Sequence, residues 1–359
     1  MKKNLLVVFV LMISVITLTA CRRADLVVSI PNYYWDQSVV EEFQDLHGVR
    51  VQMVPFPDNE TMLQMVQGGS RFDIIVPSDY AIEELAAGGY IIPIDWTLID
   101  TVTPNDFSTE LQENLEYLKL AGFNLLNYAV PYFWGSLGII YNNTIPGMSD
   151  RVRSEGFKVI GDSNLRTVIY NSPRCAMMAG LLSLPTPVRL ENATEQDIVA
   201  AANLLSAWAR QSNTHLISDE ILTDMPHADG RTPFDAVIAY SGDATWITYE
   251  NPNYSFYAPS QTNIFIDALT ITPHANSELA HMFIAHMLSF DSTEANTEAI
   301  FYTPPRADVF TLFSEYLTLG GHNRSLEAFV PPRPADIDPQ FFRYNSQLAA
   351  WISREWLRV

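Results

Sequence analysis

Leu26-Val27-Val28-Ser29-Ile30, closed by Pro31-Asn32, and Phe72-Asp73-Ile74-Ile75-Val76, closed by Pro77-Ser78-Asp79-Tyr80, decide the fold. Each is a short β-branched run cut off by turn formers, which is the pattern of a buried strand. Between them, Val39, Val40, Phe43 and Leu46 share one side of a helix over residues 38–46 that Gly48 stops. A strand over 49–56 follows, then a helix over 59–66 ending before Gly68-Gly69, and beyond Tyr80 a helix over 81–87. Strands alternating with helices predict parallel βαβ units and an α/β sheet.

Working outward, the same alternation recurs. Strands are expected over residues 136–141, 167–170, 236–240 and 254–257, with a further apolar strand over 264–272. Helices are expected over 197–211 and 278–288, and the tail from 331 to 359 reads as a Pro-rich turn followed by an amphipathic helix carrying Leu348, Trp351, Ile352, Trp356 and Leu357. No internal repeat or low-complexity segment interrupts the series. A chain of 359 residues, 48% of them hydrophobic, is long enough for two packed lobes.

The formal net charge is −20, from 41 Asp and Glu against 21 Lys and Arg. That excludes sequence-independent binding to phosphate backbones and permits a cationic ligand. An enzyme finds no support in the motifs: there is no Gly-x-Ser-x-Gly, His-Glu-x-x-His, Cys-x-x-Cys or Gly-rich phosphate loop. The seven histidines lack zinc-ligand spacing, so no metal and no cofactor is expected.

The amino terminus reads as an export signal. Lys2 and Lys3 precede an apolar run from Leu5 to Ile16, then Leu18-Thr19-Ala20-Cys21. The run is shorter than the about 20 residues of a membrane span, and no later run is long enough to cross a bilayer. Leu-Thr-Ala-Cys resembles the bacterial lipobox, which implies lipidation of Cys21 after loss of residues 1–20; an ordinary signal peptide with an incidental Cys21 is the second reading. Cleavage there removes Lys2 and Lys3 and takes the net charge from −20 to −22. Cys175, the other cysteine, is then without a disulfide partner.

In open α/β sheets ligands sit beyond the carboxyl ends of strands. That rule selects residues 31–35, 77–80, 240–243 and 265–267, all rich in aromatics, with Asp243 and Asp267 among them. These segments, together with Asn59-Glu60-Thr61-Met62, Phe72–Tyr80, Val130-Pro131-Tyr132-Phe133-Trp134-Gly135-Ser136, Ile264-Phe265-Ile266-Asp267-Ala268-Leu269 and Tyr302-Thr303-Pro304-Pro305, resemble in order the spermidine/putrescine-binding lipoproteins of bacterial ABC transporters. The match spans nearly all of the chain after residue 21. The resemblance implies a type II periplasmic-binding-protein fold, with two α/β lobes joined by a hinge. Lobe 1 would comprise 25–130 and 268–310, lobe 2 would comprise 131–267, and 311–359 would pack on lobe 2.

It further implies a non-enzymatic, monomeric, extracytoplasmic protein, lipid-anchored through Cys21, that takes a polyamine (putrescine or spermidine) in an interlobe cleft and delivers it to ABC permease subunits, with no nucleic-acid partner. Asp267 matches the carboxylate that grips one amine, and Asp243, three residues after Tyr240, a second acidic position. Tyr34, Tyr80, Tyr240, Phe265 and Tyr302 match rings that stack on methylenes, and Ser78 matches a contact serine. Asn32, Tyr33 and Trp35 stand where the family has a Trp-centred motif. Ser172 and Cys175 stand where it usually has acidic residues, with Arg174 between them.

Each residue has a second reading on its own. Asp267 in an apolar run could be a strand end reaching water, Ser241-Gly242-Asp243 a helix-capping turn, and Tyr80 and Tyr240 packing residues; Asp79 is expected to cap the helix that follows it. Arg174 beside the cleft keeps open another amine or a zwitterion (an amino acid or ω-amino acid) as ligand, and a sensor role instead of uptake.

Overall fold

The β-branched runs form the strands expected of them. In the computed structural model, which describes residues 24–227 and 229–359, β1 (Leu26–Pro31) lies parallel to β2 (Val51–Phe56) on one side and to β3 (Ile74–Ile75) on the other. Helices Gln37–His47, Asn59–Gln67 and Asp79–Ala87 connect or follow them. Gly48 ends the first helix at φ 65, a left-handed position that glycine takes without strain. Leu26, Val28 and Ile30 on one face and Ser29 on the other are fully buried, as in the central strand of a parallel set covered on both faces.

The remaining strands are β4 (Ala129–Asn142), β5 (Thr167–Tyr170), β6 (Thr214–Ile217), β7 (Ala236–Tyr240), β8 (Tyr254–Tyr257) and β9 (Ile264–Ile271). The strand order is β2-β1-β3-β9-β4-β7-β5-β6, with β8 also on β4. This is one pattern used twice, making two α/β lobes. In the first, β2, β1 and β3 run parallel and meet β9 and then β4 antiparallel. In the second, β6, β5 and β7 run parallel and meet β4 and then β8 antiparallel. Strand β4 serves both: its residues 129–136 pair with β9, and 137–142 with β7 and β8. The fold is thus the type II two-lobed arrangement.

Three differences from expectation have physical causes. Only 136–141 of β4 was expected, because Pro131 cannot donate to a ladder; it sits where the register against β9 shifts, at a bulge that tolerates it. Strand β6 was not expected, since Thr-His-Leu-Ile is a short, half-exposed edge without alternation. Helix Pro173–Leu182 was also missed: residues 174–181 are all buried, so no polar face marks the helical period.

The tail reaches both lobes. Helix Ser346–Trp356 lies against helix Glu195–Ala209, where Arg354 pairs with Glu195 at 2.7 Å. Arg343, just before it, forms a two-pronged bond with Glu83 of the first lobe at 2.6 and 2.9 Å. Among the described residues no helix is long and apolar enough to cross a membrane; Cys21 and the export signal lie outside them.

Candidate functional site

A cleft of about 860 Å³ opens at the ends of β1, β3, β5 and β7, between the lobes. Of the residues expected at the site, Asn32, Tyr33, Tyr34, Ser78, Tyr80, Ser172, Cys175, Tyr240, Asp243, Phe265, Asp267 and Tyr302 line it. Trp35 does not: its indole N–H donates to Gln37 at 3.3 Å, and the ring packs half-buried against the core. The chain leaves β1 through Tyr33 at φ 56, a left-handed turn that leaves Tyr33 exposed at the cleft mouth, swings Tyr34 inward and sends Trp35 away.

Asp267 is a nearly buried carboxylate of the cleft. It does not follow a strand end but sits inside β9, which runs opposite to β3, so its early residues lie level with the chain leaving β3; an isolated bridge joins Ser78 to Asp267. The Ser78 hydroxyl donates to Oδ1 at 2.6 Å and the Tyr34 hydroxyl to Oδ2 at 2.7 Å. Asn59, in turn, donates to Ser78 Oγ at 2.9 Å and accepts the Ser78 amide at 3.1 Å. Asp267 is 7% exposed, and burial pushes its carboxyl up to about 6 although both hydroxyl bonds favour the charged form.

This network changes the reading of the next helix. The N-cap is Ser78 and not Asp79, and Ser78 makes no side-chain cap bond because its hydroxyl is committed to Asp267. Asp79 lies in the first turn, with Oδ1 accepting the Tyr80 amide at 2.8 Å.

Asp243 lies in the first turn of helix Ser241–Glu250, which follows β7 directly. Its Oδ1 accepts the Tyr302 hydroxyl at 2.7 Å, and burial, aided by the nearby Asp219 charge, pushes it up to about 7. Gly242 is needed here: an added Cβ would lie on the Tyr302 ring. Tyr34 and Tyr302 meet edge to face with centroids 5.0 Å apart, so a Tyr–Tyr pair links the two carboxylates. Phe265 extends the ring wall, 5.0 Å from Tyr240 and 6.2 Å from Tyr302.

Asp267 and Asp243 have no cationic partner among the described residues, whose ion pairs lie elsewhere. Such sites can hold cations through fixed anions and ring faces. Among the described residues no cluster could hold a metal ion.

The chain from residue 38 to 315 matches the model of the bacterial extracellular solute-binding proteins. A candidate spermidine/putrescine ABC transporter from Listeria monocytogenes is similar in structure, with a TM-score of 0.75 at 25% identity over 92% of this chain and 97% of that one. The TpPotD lipoprotein of Treponema pallidum follows at TM-score 0.69 and 19% identity, covering 92% of this chain and 98% of its own. The A. tumefaciens protein MotA, in complex with glucopine, has a TM-score of 0.64 at 16% identity, over 93% and 100%. No curated protein matches the chain. It belongs to the bacterial extracellular solute-binding proteins.

In this solute-binding protein, which is not an enzyme, the resemblance read from the sequence agrees with family and fold. Four further residues of the cleft were not singled out. Asn59 orients Ser78, Asp219 accepts the Asn32 amide at 3.3 Å, Glu60 accepts the Tyr80 hydroxyl at 3.0 Å, and Phe342 comes in from the tail. Asn59 and Glu60 had a signal, as polar first-turn residues of a helix at the strand-end edge; Phe342 had none. Ser172 and Cys175 supply no charge: the thiol bonds with the Tyr240 hydroxyl at 2.9 Å, and burial pushes it up to about 11.

Proposed function

We propose that this solute-binding protein captures a polyamine, putrescine or spermidine, between its lobes and delivers it to an ABC permease. One observation carries the reading: two carboxylates, Asp267 and Asp243, lie nearly buried in a single ring-walled cleft, with no cationic partner among the described residues. Leaving such groups charged and unpaired costs several kcal/mol. A flexible dication offsets that cost at both ends while its methylenes cover Tyr34, Tyr302 and Phe265. Cation–ring contacts add about 0.5–2 kcal/mol each. Binding near the micromolar range, about −8 kcal/mol, is within reach of two held amines and a stacked chain.

The lobes divide, in this reading, at β4 and β9, with 25–130 and 268–310 in lobe 1 and 131–267 in lobe 2. Closure expels water and strengthens the ion pairs, and the closed monomer docks on the permease. In this reading Cys21 carries the lipid that holds the protein outside the cytoplasm; the structurally similar Treponema pallidum protein is named a lipoprotein. A zwitterionic ligand is the weaker reading, because Arg174, the cation it needs, is already flanked by Glu60 at 3.5 Å and covered by rings.

A thermal-shift panel of putrescine, cadaverine, spermidine, agmatine and γ-aminobutyrate tests the reading at pH 8. Stabilisation by the linear amines and none by γ-aminobutyrate is expected; the reverse order refutes it.

A further inference from the structure

One end of the cleft already holds a cation, and it belongs to the chain. Arg174 stands near the start of helix Pro173–Leu182, on the second lobe, and reaches across to the first. Its guanidinium carbon lies 4.1 Å from the centre of the Tyr80 ring and 5.7 Å from that of Phe342. Nε is 3.5 Å from Glu60 Oε1, the oxygen that also accepts the Tyr80 hydroxyl at 3.0 Å. The residue is 5% exposed.

A carboxylate, ring faces and exclusion of water are the elements of an ammonium-binding compartment. Here the compartment is full: Glu60 is shared between Arg174 and Tyr80, and a face of the Tyr80 ring is covered. Tyr80 therefore lines the cleft but does not offer that face to a ligand. The compartment built on Asp267 and Asp243 is the opposite case, with the same kinds of group and no resident cation among the described residues.

We infer that Arg174 is a specificity-determining residue: a built-in cation that fills the Glu60–Tyr80 compartment, so that the cleft takes a diamine across Asp267 and Asp243 and rejects the third ammonium of a triamine. The inference rests on the amine reading above and narrows it. A third ammonium directed at this end meets a like charge and a carboxylate, Glu60, already shared by Arg174 and Tyr80, and such juxtaposition is a strong source of discrimination. Asp79 provides no substitute, since one of its oxygens holds the Tyr80 amide and the other is buried. Two of the three guanidinium nitrogens of Arg174 are also closed to a ligand carboxylate. Nε and Nη1 make no hydrogen bond and are wholly covered, so an acceptor in the cleft cannot reach these two without displacing Glu60 or the rings.

The test measures putrescine and spermidine dissociation constants by titration calorimetry for the wild-type protein, Arg174→Met and the double variant Glu60→Gln/Arg174→Met. Met keeps an unbranched apolar side chain against Tyr80 and Phe342 and removes the charge, freeing Glu60. The wild type is expected to prefer putrescine by about tenfold or more. In Arg174→Met spermidine tightens by about tenfold or more, and the double variant loses that gain because the freed carboxylate is gone. Equal wild-type affinity for both amines, or a spermidine affinity unmoved by Arg174→Met in a variant that still binds putrescine, overturns the inference alone. A wild type that binds neither amine overturns the amine reading and the inference with it. γ-Aminobutyrate binding that Arg174→Met abolishes assigns Arg174 to a carboxylate and overturns both.

Discussion

Asp267→Asn is expected to weaken putrescine binding by about 2–5 kcal/mol, which is about 30-fold at the low end and several thousand-fold at the high end. The size follows from burial: an ammonium drawn out of water to this depth loses its hydration and, without the carboxylate, gains no ion pair in exchange. Asn preserves the shape of the site, and its carbonyl still accepts one of the Ser78 and Tyr34 hydroxyls that now converge on the carboxylate at 2.6 and 2.7 Å. The folded protein without ligand is expected to be at least as stable at pH 8, because the variant removes an unpaired buried charge. Titration calorimetry and thermal unfolding of one preparation separate these effects. Unchanged affinity contradicts the role given to Asp267, while a large drop in Tm without ligand makes the residue structural.

Putrescine affinity is expected to fall by about two to three orders of magnitude between pH 8 and pH 5, since each carboxyl that must ionise costs up to about tenfold per pH unit below its own pKa. Burial holds Asp267 at about 6 and Asp243 at about 7, so both are largely neutral at pH 5 and charged at pH 8. The amines stay protonated over this range, with ordinary values near about 10. The sign for the unliganded protein is opposite. Both groups have folded-state values above the unfolded ones, so the stability they contribute is fully present below about pH 4 and lost as pH rises through 6 and 7. The Tm increment given by putrescine therefore widens with pH from 5 to 8, and Asp243→Asn narrows the widening. An increment independent of pH counts against both carboxylates as amine ligands.

Legibility in the sequence followed physical contrast. Strands such as Ala-Val-Ile-Ala-Tyr over β7 were readable because β-branched residues end at a turn-forming Ser-Gly-Asp. Asp267 stood out as a charge inside an apolar run, but that alone left a strand end in water equally open, and it was the family resemblance that singled it out as a ligand contact. Elements without contrast were lost: the helix around Cys175 is buried on every side, and β6 is too exposed to alternate. In the site, residue types were readable but their commitments were not. Nothing local in the sequence says that the Ser78 hydroxyl serves Asp267, 189 positions away, in place of its own helix. Tyr33, Tyr34 and Trp35 form one motif in the chain, yet a left-handed backbone at Tyr33 sends only Tyr34 deep into the cleft. Arg174 could be placed beside the cleft, but its position over Tyr80 depends on Glu60 and Phe342, which come from distant parts of the chain.

The most direct measurement is a crystal structure of the full chain grown with putrescine at pH 8. The account predicts one ammonium within hydrogen-bonding distance of Asp267, the other at Asp243, and the methylenes against the Tyr34 and Tyr302 rings. A cleft left empty at saturating putrescine, or an amine held by neither aspartate, would contradict it.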